Sequence, residues 1–406
     1  MDREEIRQYQ EQFQTELDRC IRFWLEHGMD AEHGGIYTCL DRVGRIYSTD
    51  KSVWMQGRCA WTFARLCNQY GSRPEWLNAS RNCLDFIDRY CIDTDGRMFF
   101  TVTKDGRPLR KRRYFFSEVF SVMAHAEYAK ATGDRNALET AKRQFAFVAE
   151  IYRDRSKDPY KIPPKTDPKT RSGRSLAEPM MLLNLTLVLR ACDPENAAHY
   201  RSCSRDYISD ILNYHWKPAQ SMLLETVGTN GEYWNFCSAG RQINPGHDIE
   251  ASWFLLSAAT DENDPALADT AEAIFRSAVM RGRDERYGGL LYFVDAEHLP
   301  PEQYEHDMKL WWVHNEAIIA SLMFYRHTRK EVYADLFREY TAYAFRVFSD
   351  PEVGEWYGYL RRDGAPTEPP CKGSTFKGPF HLPRMLMTVD AMLESEKQMP
   401  TDRLMK

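Results

Sequence analysis

The stretch "GGIYTCLDRVGRIYSTDKSVWMQGRCAWTFARL", residues 34–66, contains the unit from which the whole chain is built. Its first half is a Gly-led run of aromatic and β-branched residues that turns back on itself, the pattern of a short hairpin. From about Ser52 the apolar residues fall at helical spacing instead, so a strand-like excursion hands over to a helix. A helix also precedes it, in "CIRFWLEHGM" at 20–29, and the order is therefore helix, excursion, helix.

The same order recurs. Gly-led aromatic runs return as "GRMFFTVTKDGRPL", "GGLLYFVDAEHL" and "GEWYGYLRRDGAP", between helical runs such as "CLDFIDRYC", "QFAFVAEIY", "MMLLNLTLVL", "AIIASLMFY" and "LFREYTAYAFRVF". The second helices are anchored at Ser52, Phe116, Leu176, His247, Trp312 and His381, at intervals of 60 to 71 residues. Six such units use the chain from about residue 3 to 396 and leave little room for a separate domain or linker, so residues 1–406 read as one all-α domain with short β-hairpin excursions. The Pro-rich segment at 157–174 falls inside the third unit and reads as a long ordered loop. In an up-down array the second helices share one direction, so their N-termini open on one face. Periodicity predicts the array; it does not say whether the array closes.

Hydrophobic residues make up 43% of the 406, enough for a sizeable core. The net charge of −5 gives no case for nucleic acid or an anionic membrane as partner. The basic run "RPLRKRR" at 107–113 reads as a solvated hairpin arm. Ten scattered cysteines without C-x-x-C spacing predict neither a disulfide framework nor a metal site. The first residues, "MDREEIRQYQEQFQ", are charged and amphipathic, and no apolar run approaches a membrane span; a cytoplasmic protein with reduced thiols is expected.

Ionisable residues gather near the six second-helix starts: Arg58, Glu118, Glu178, His247 with Glu250, His314 with Glu316, and His381. An acid in a first turn can serve only the helix dipole, and Glu250 can be the third member of a capping box begun at His247. A lone histidine is commonly a satisfied core or surface group. Here two histidines occupy equivalent places after Pro or Gly breaks, in "NPGH" and "GPFH". The positive end of a helix lowers an imidazole's pKa and favours the neutral base. Two imidazoles across a pocket can take a proton from one side of a carbon and return one to the other, while an arginine such as Arg58 holds the developing oxyanion. "HDIE" and "WVHNE" are poor zinc motifs, and "GSTFKG" departs from a phosphate loop after its second glycine.

The motifs "KSVWMQGRCAWTFARL", "NPGHDIEASWFLL", "MKLWWVHNEAIIASL" and "FKGPFHLPRML" resemble the N-acylglucosamine 2-epimerase family, which in vertebrates also supplies the renin-binding protein. The resemblance implies an (α/α)6 barrel and reversible epimerisation of N-acetyl-D-glucosamine and N-acetyl-D-mannosamine at carbon 2. It implies no redox cofactor or catalytic metal, ATP as an allosteric effector, and a homodimer. Carried over by motif, His247 and His381 match the acid/base pair, Arg58 the essential arginine, and Glu250 and Glu316 the supporting acids. His381 then acts on the gluco epimer and His247 on the manno epimer. Trp54, Glu118, Glu178, Met181, Trp312, His314, Phe376 and Lys377 are expected around the sugar. Cellobiose epimerases carry a further histidine where this chain has "LAEPMMLLNL", which favours an N-acyl sugar over a disaccharide. The rival readings are epimerisation or aldose–ketose isomerisation of unsubstituted sugars, glycoside hydrolysis by Glu250 with Glu316, and a non-catalytic binding protein.

Overall fold

The structure, a computed structural model, describes residues 1–398. Its long helices fall into the six expected units. Helix α1 (Arg3–His27) leads through an excursion to α2 (Val53–Tyr70), α3 (Pro74–Phe86) to α4 (Phe116–Thr132), and α5 (Arg135–Arg153) to α6 (Ala177–Cys192). Helix α7 (Ala197–Asp210) leads past the one-turn α8 (Ser238–Arg241) to α9 (Pro245–Glu262), α10 (Pro265–Gly282) to α11 (Trp311–Thr328), and α12 (Glu331–Val347) to α13 (His381–Lys397).

Burial sorts these helices into two layers. Helix α4 buries every residue from Ser117 to Ala129 and α11 every residue from Trp311 to Leu322, the mark of helices surrounded on all sides. By contrast, α5 buries only Ala137, Ala141, Phe145, Val148, Ala149 and Ile151, a single stripe. The second helices of the units accordingly form an inner ring, and the amphipathic first helices cover it from outside. Each inner helix packs on the next, α2 on α4, α4 on α6, α6 on α9, α9 on α11 and α11 on α13, and α13 returns to α2. The array is therefore a closed (α/α)6 barrel. Close approach of α2 and α4 depends on Gly57, where a Cβ would lie 2.8 Å from the Phe120 backbone.

The excursions differ in one respect from the expected hairpins. Some self-pairing exists, in Thr101–Val102 with Pro108–Arg110 and in bridges such as Leu40 with Ile46. The stronger pattern joins successive units: Lys51–Ser52 pairs with Thr101–Val102, Gln242–Ile243 with Val294–Asp295, and Lys309–Leu310 with Tyr359–Leu360. Residues just ahead of α2, α9 and α11 thus pair with the next excursion. Buried lysines tie the same loops to the barrel. Lys51 reaches Asp30 at 2.6 Å, Lys309 reaches Asp284 at 2.8 Å, and Lys372 reaches Asp350 at 2.9 Å, all three lysines being fully buried. All ten cysteines are free thiols. No helix among the described residues is long and apolar enough to cross a membrane.

Candidate active site

A cavity of about 570 Å³ opens where the inner helices begin. It brings together Trp54 and Arg58 of α2, Met181 of α6, His247 and Glu250 of α9, Trp312 of α11, His381 of α13, and Phe376 from the loop before it.

Local sequence fixes the two imidazoles. Asn244 caps α9, its side chain accepting from the amides of Gly246 and His247, and Pro245 occupies the first helical turn. His247 is thereby held at the third helical position. Because Asn244 is the cap, Glu250 is not a capping-box acid; its carboxylate goes to Arg384 of α13 instead, at 2.6 Å. His381 is the first residue of α13, and the chain before it is pinned where Thr62 Oγ1 donates to the Pro379 carbonyl at 2.6 Å. Both rings pack against the Trp312 indole, His247 at 5.4 Å and His381 at 5.7 Å between centroids. Gly246 makes room for that indole, since a Cβ there would meet it at 2.6 Å.

Each ring is oriented by a carboxylate. His247 Nδ1 lies 2.8 Å from Glu225 Oε2, and His381 Nδ1 lies 2.8 Å from Glu316 Oε1. The Nε2 atoms have no hydrogen-bond partner among the described residues, so these nitrogens are left for chemistry. The two rings differ in proton affinity. Burial alone disfavours the imidazolium of His247, but the charge and hydrogen bond of Glu225, aided by Glu250, outweigh it and raise its pKa above the ordinary value. At His381 burial acts in the same direction as the nearby Arg58 and Arg384 guanidiniums, and the pKa falls well below the ordinary value. The helix-dipole argument, which predicts two neutral imidazoles, fails at His247 because a hydrogen-bonded carboxylate is the larger effect.

Arg384 explains why Glu316 does not raise His381. One of its terminal nitrogens donates to Glu250 Oε1 at 2.6 Å and to Glu316 Oε1 at 2.5 Å, and lies 3.3 Å from His381 Nδ1. Two carboxylates share that guanidinium, and Trp253 Nε1 donates to Glu316 at 3.0 Å. Glu250, Glu316 and His381 stand close enough to be considered as metal ligands, but Arg384 occupies the place a cation would take. Arg58 is different: it has no hydrogen-bond or salt-bridge partner among the described residues, and its Nε is buried without one. It lies between the Phe120 and Phe380 rings, 4.2 and 4.8 Å from their centroids. Burial lowers its pKa, opposed by Glu250 and Glu316. An unpaired guanidinium over an open cavity is a site for an incoming oxygen.

Several expected pocket residues lie elsewhere. His314 is fully buried, its Nδ1 on the Leu310 carbonyl and its Nε2 accepting from the Leu290 amide, so it is a satisfied core histidine. Lys377 turns inward to Glu355 at 2.7 Å and to the Lys372 carbonyl. Glu118 pairs with Arg97 at 2.6 Å beneath the second excursion. Glu178 pairs with Arg155 in a neighbouring cavity. Glu316 does not line the pocket and acts from behind His381. Conversely, Arg112 of the basic run is not a solvated arm: its guanidinium lies 3.9 Å from the Phe100 centroid and lines the cavity.

Glu225 and Arg384 are not singled out by the sequence reading. Arg384 had a signal, because His247-x-x-Glu250 and His381-x-x-Arg384 occupy equivalent turns of two repeats. Glu225 lies at a bend between two short excursion strands, Met222–Leu223 and Thr226–Gly228, with no counterpart to betray it.

A family model described as N-acylglucosamine 2-epimerase (GlcNAc 2-epimerase) matches residues 35–377, most of the chain. The chain belongs to the N-acylglucosamine 2-epimerase family. This is a family of isomerases, and its curated members include the human N-acylglucosamine 2-epimerase, 39% identical over 401 residues, which cover 97% of this chain and 92% of that one. The bovine enzyme of the same name is 38% identical over 399 residues, covering 97% and 93%. These alignments extend well beyond the family-model match, which ends four residues before His381. Among solved structures, the cellobiose 2-epimerase from Spirochaeta thermophila superposes with a TM-score of 0.83 at 22% identity, covering 97% of this chain and 98% of that one. At that identity the likeness speaks for the shared barrel.

Proposed function

We propose that this epimerase-family chain interconverts N-acetyl-D-glucosamine and N-acetyl-D-mannosamine by removing and returning the hydrogen on carbon 2. The carrying observation is that two imidazoles of different proton affinity line one cavity, both packed against a single indole. In the open-chain sugar the aldehyde acidifies that hydrogen. His381 Nε2, neutral, takes the proton; the C–H electron pair moves into the carbon–carbon bond and the carbonyl oxygen becomes an enolate. Arg58 holds that oxygen. His247, protonated, delivers its proton to the opposite face, the carbonyl re-forms, and the stereocentre is inverted. Glu225 and Glu316 hold the rings in the tautomers this requires, and the Arg384 charge disfavours the imidazolium of His381. Only protons move, so no redox cofactor enters the scheme. From the family likeness the reading extends to a cytoplasmic homodimer on which ATP acts as an effector.

Glycoside hydrolysis fits poorly. It needs two carboxylates about 5 Å or more apart, flanking a bond, whereas Glu250 and Glu316 converge on one nitrogen of Arg384. A passive binding site gives no reason for two cavity histidines each oriented by a carboxylate with Nε2 left without a partner among the described residues. Aldose–ketose isomerisation of an unsubstituted sugar shares the first proton transfer but reprotonates carbon 1, so formation of a ketose from mannose would mark it.

Incubation with N-acetyl-D-mannosamine in heavy water tests the proposal. Deuterium should enter carbon 2 with inversion, and His381→Ala and His247→Ala should each abolish inversion. Each variant should still exchange the hydrogen of the one epimer facing its remaining histidine. Unlabelled carbon 2 in the wild-type reaction would refute the reading.

A further inference from the structure

Helix α6 turns Ala177, Met180, Met181 and Asn184 towards the cavity, the spacing of one helix face. Three of these side chains are apolar. The fourth, Asn184, lies a turn deeper; it is only 5% exposed, and its carboxamide makes no hydrogen bond among the described residues. Buried amides are normally paired, so one that is open only to a cavity is waiting for a group in that cavity. The charged chemistry occupies other walls: Arg58 on α2, His247 and Glu250 on α9, His381 and Arg384 on α13. The α6 wall therefore offers what a short acylamino group needs, a soft apolar surface for the acyl carbon and one neutral polar group for its carbonyl.

Resting on the epimerase reading, we infer that Asn184 is the specificity residue for the substrate's N-acyl group. Its Nδ2–H donates to the acyl carbonyl oxygen, while Met180, Met181 and Ala177 pack against the acyl methyl. A sugar with a plain hydroxyl on carbon 2 is too short to reach this wall and leaves Asn184 unpaired, which is how a buried polar group discriminates. Asn184 touches no reacting atom, so its contribution belongs in binding more than in turnover.

The test uses Asn184→Ala and the isosteric Asn184→Asp, which keeps the shape but replaces the donor with an acceptor. The measurements are KM and kcat for N-acetyl-D-mannosamine, deuterium exchange into carbon 2 of mannose, and thermal unfolding to confirm folding. The inference expects Asn184→Ala to lower kcat/KM on the N-acetyl sugar about tenfold, mainly through KM, and Asn184→Asp to lower it further. Exchange into mannose, however small in the wild type, should not fall with it. A KM within twofold of wild type in either folded variant overturns the inference, as does a parallel loss on both sugars. Absence of wild-type exchange into N-acetyl-D-mannosamine instead overturns the functional reading, whatever Asn184 does.

Discussion

Replacing Glu225 by Gln should shift the alkaline limb of the pH profile and leave the acid limb in place. The competent enzyme carries one proton on the histidine pair, so kcat/KM in both directions is bounded by loss of that proton and by gain of a second. Loss is governed by His247, whose raised pKa puts the alkaline limb above the ordinary imidazole range. Gain is governed by His381, whose lowered pKa puts the acid limb below it. An opposite charge in hydrogen-bond contact moves a pKa by about one to three units. The Glu225–His247 contact is 2.8 Å, but the side chains are 14% and 26% exposed, so solvent screening favours the lower end: about one unit, or about 1.4 kcal/mol. In Glu225→Gln the alkaline limb should therefore move about one unit towards acid, and kcat/KM beyond it should fall roughly tenfold. Asp248 is a poor substitute for the missing charge, because burial, and after it the Glu225 charge, raises its pKa well above the ordinary carboxylate value. Profiles for both epimers, measured by NMR at constant ionic strength, decide the matter. An alkaline limb at the same pH in wild type and folded variant would refute the assignment of His247 as the resting acid.

Arg58→Met should reduce kcat at least a hundredfold, by removing the oxyanion's partner, yet leave the melting temperature unchanged or higher, since no native ion pair is broken; kinetics and calorimetry on one preparation check both. His314→Leu should destabilise the protein by about 1–3 kcal/mol in denaturant titration, because the Leu290 amide loses its acceptor, while kcat/KM stays within a few-fold. Lys377→Met strands the buried Glu355 carboxylate and should cost about 3–5 kcal/mol of stability by the same assay, an effect that precedes any on substrate affinity.

Much of the architecture can be read without coordinates. The predicted starts at Phe116 and His381 are the first residues of α4 and α13, those at Ser52, Leu176 and Trp312 lie within one residue of α2, α6 and α11, and His247 is two residues inside α9. Apolar spacing and caps such as Asn244 are local properties, and local properties survive in the sequence. So does the gathering of Arg58, His247, Glu250 and His381 at one end, which follows from equal register in successive repeats.

Closure of the ring, by contrast, is a contact between α13 and α2, helices from opposite ends of the chain. The roles of the histidines depend on equally distant partners: Arg384 meets Glu250 across 134 residues, and His381 meets Glu316 across 65. Hydrophobic period tells which face of a helix is covered, not which charge lies against it. His314 and His381 both sit at the opening of an inner helix, yet one is consumed by two backbone groups and the other keeps Nε2 free. Proton affinity is set by burial and by charges within a few ångströms, and only the folded chain brings those charges there.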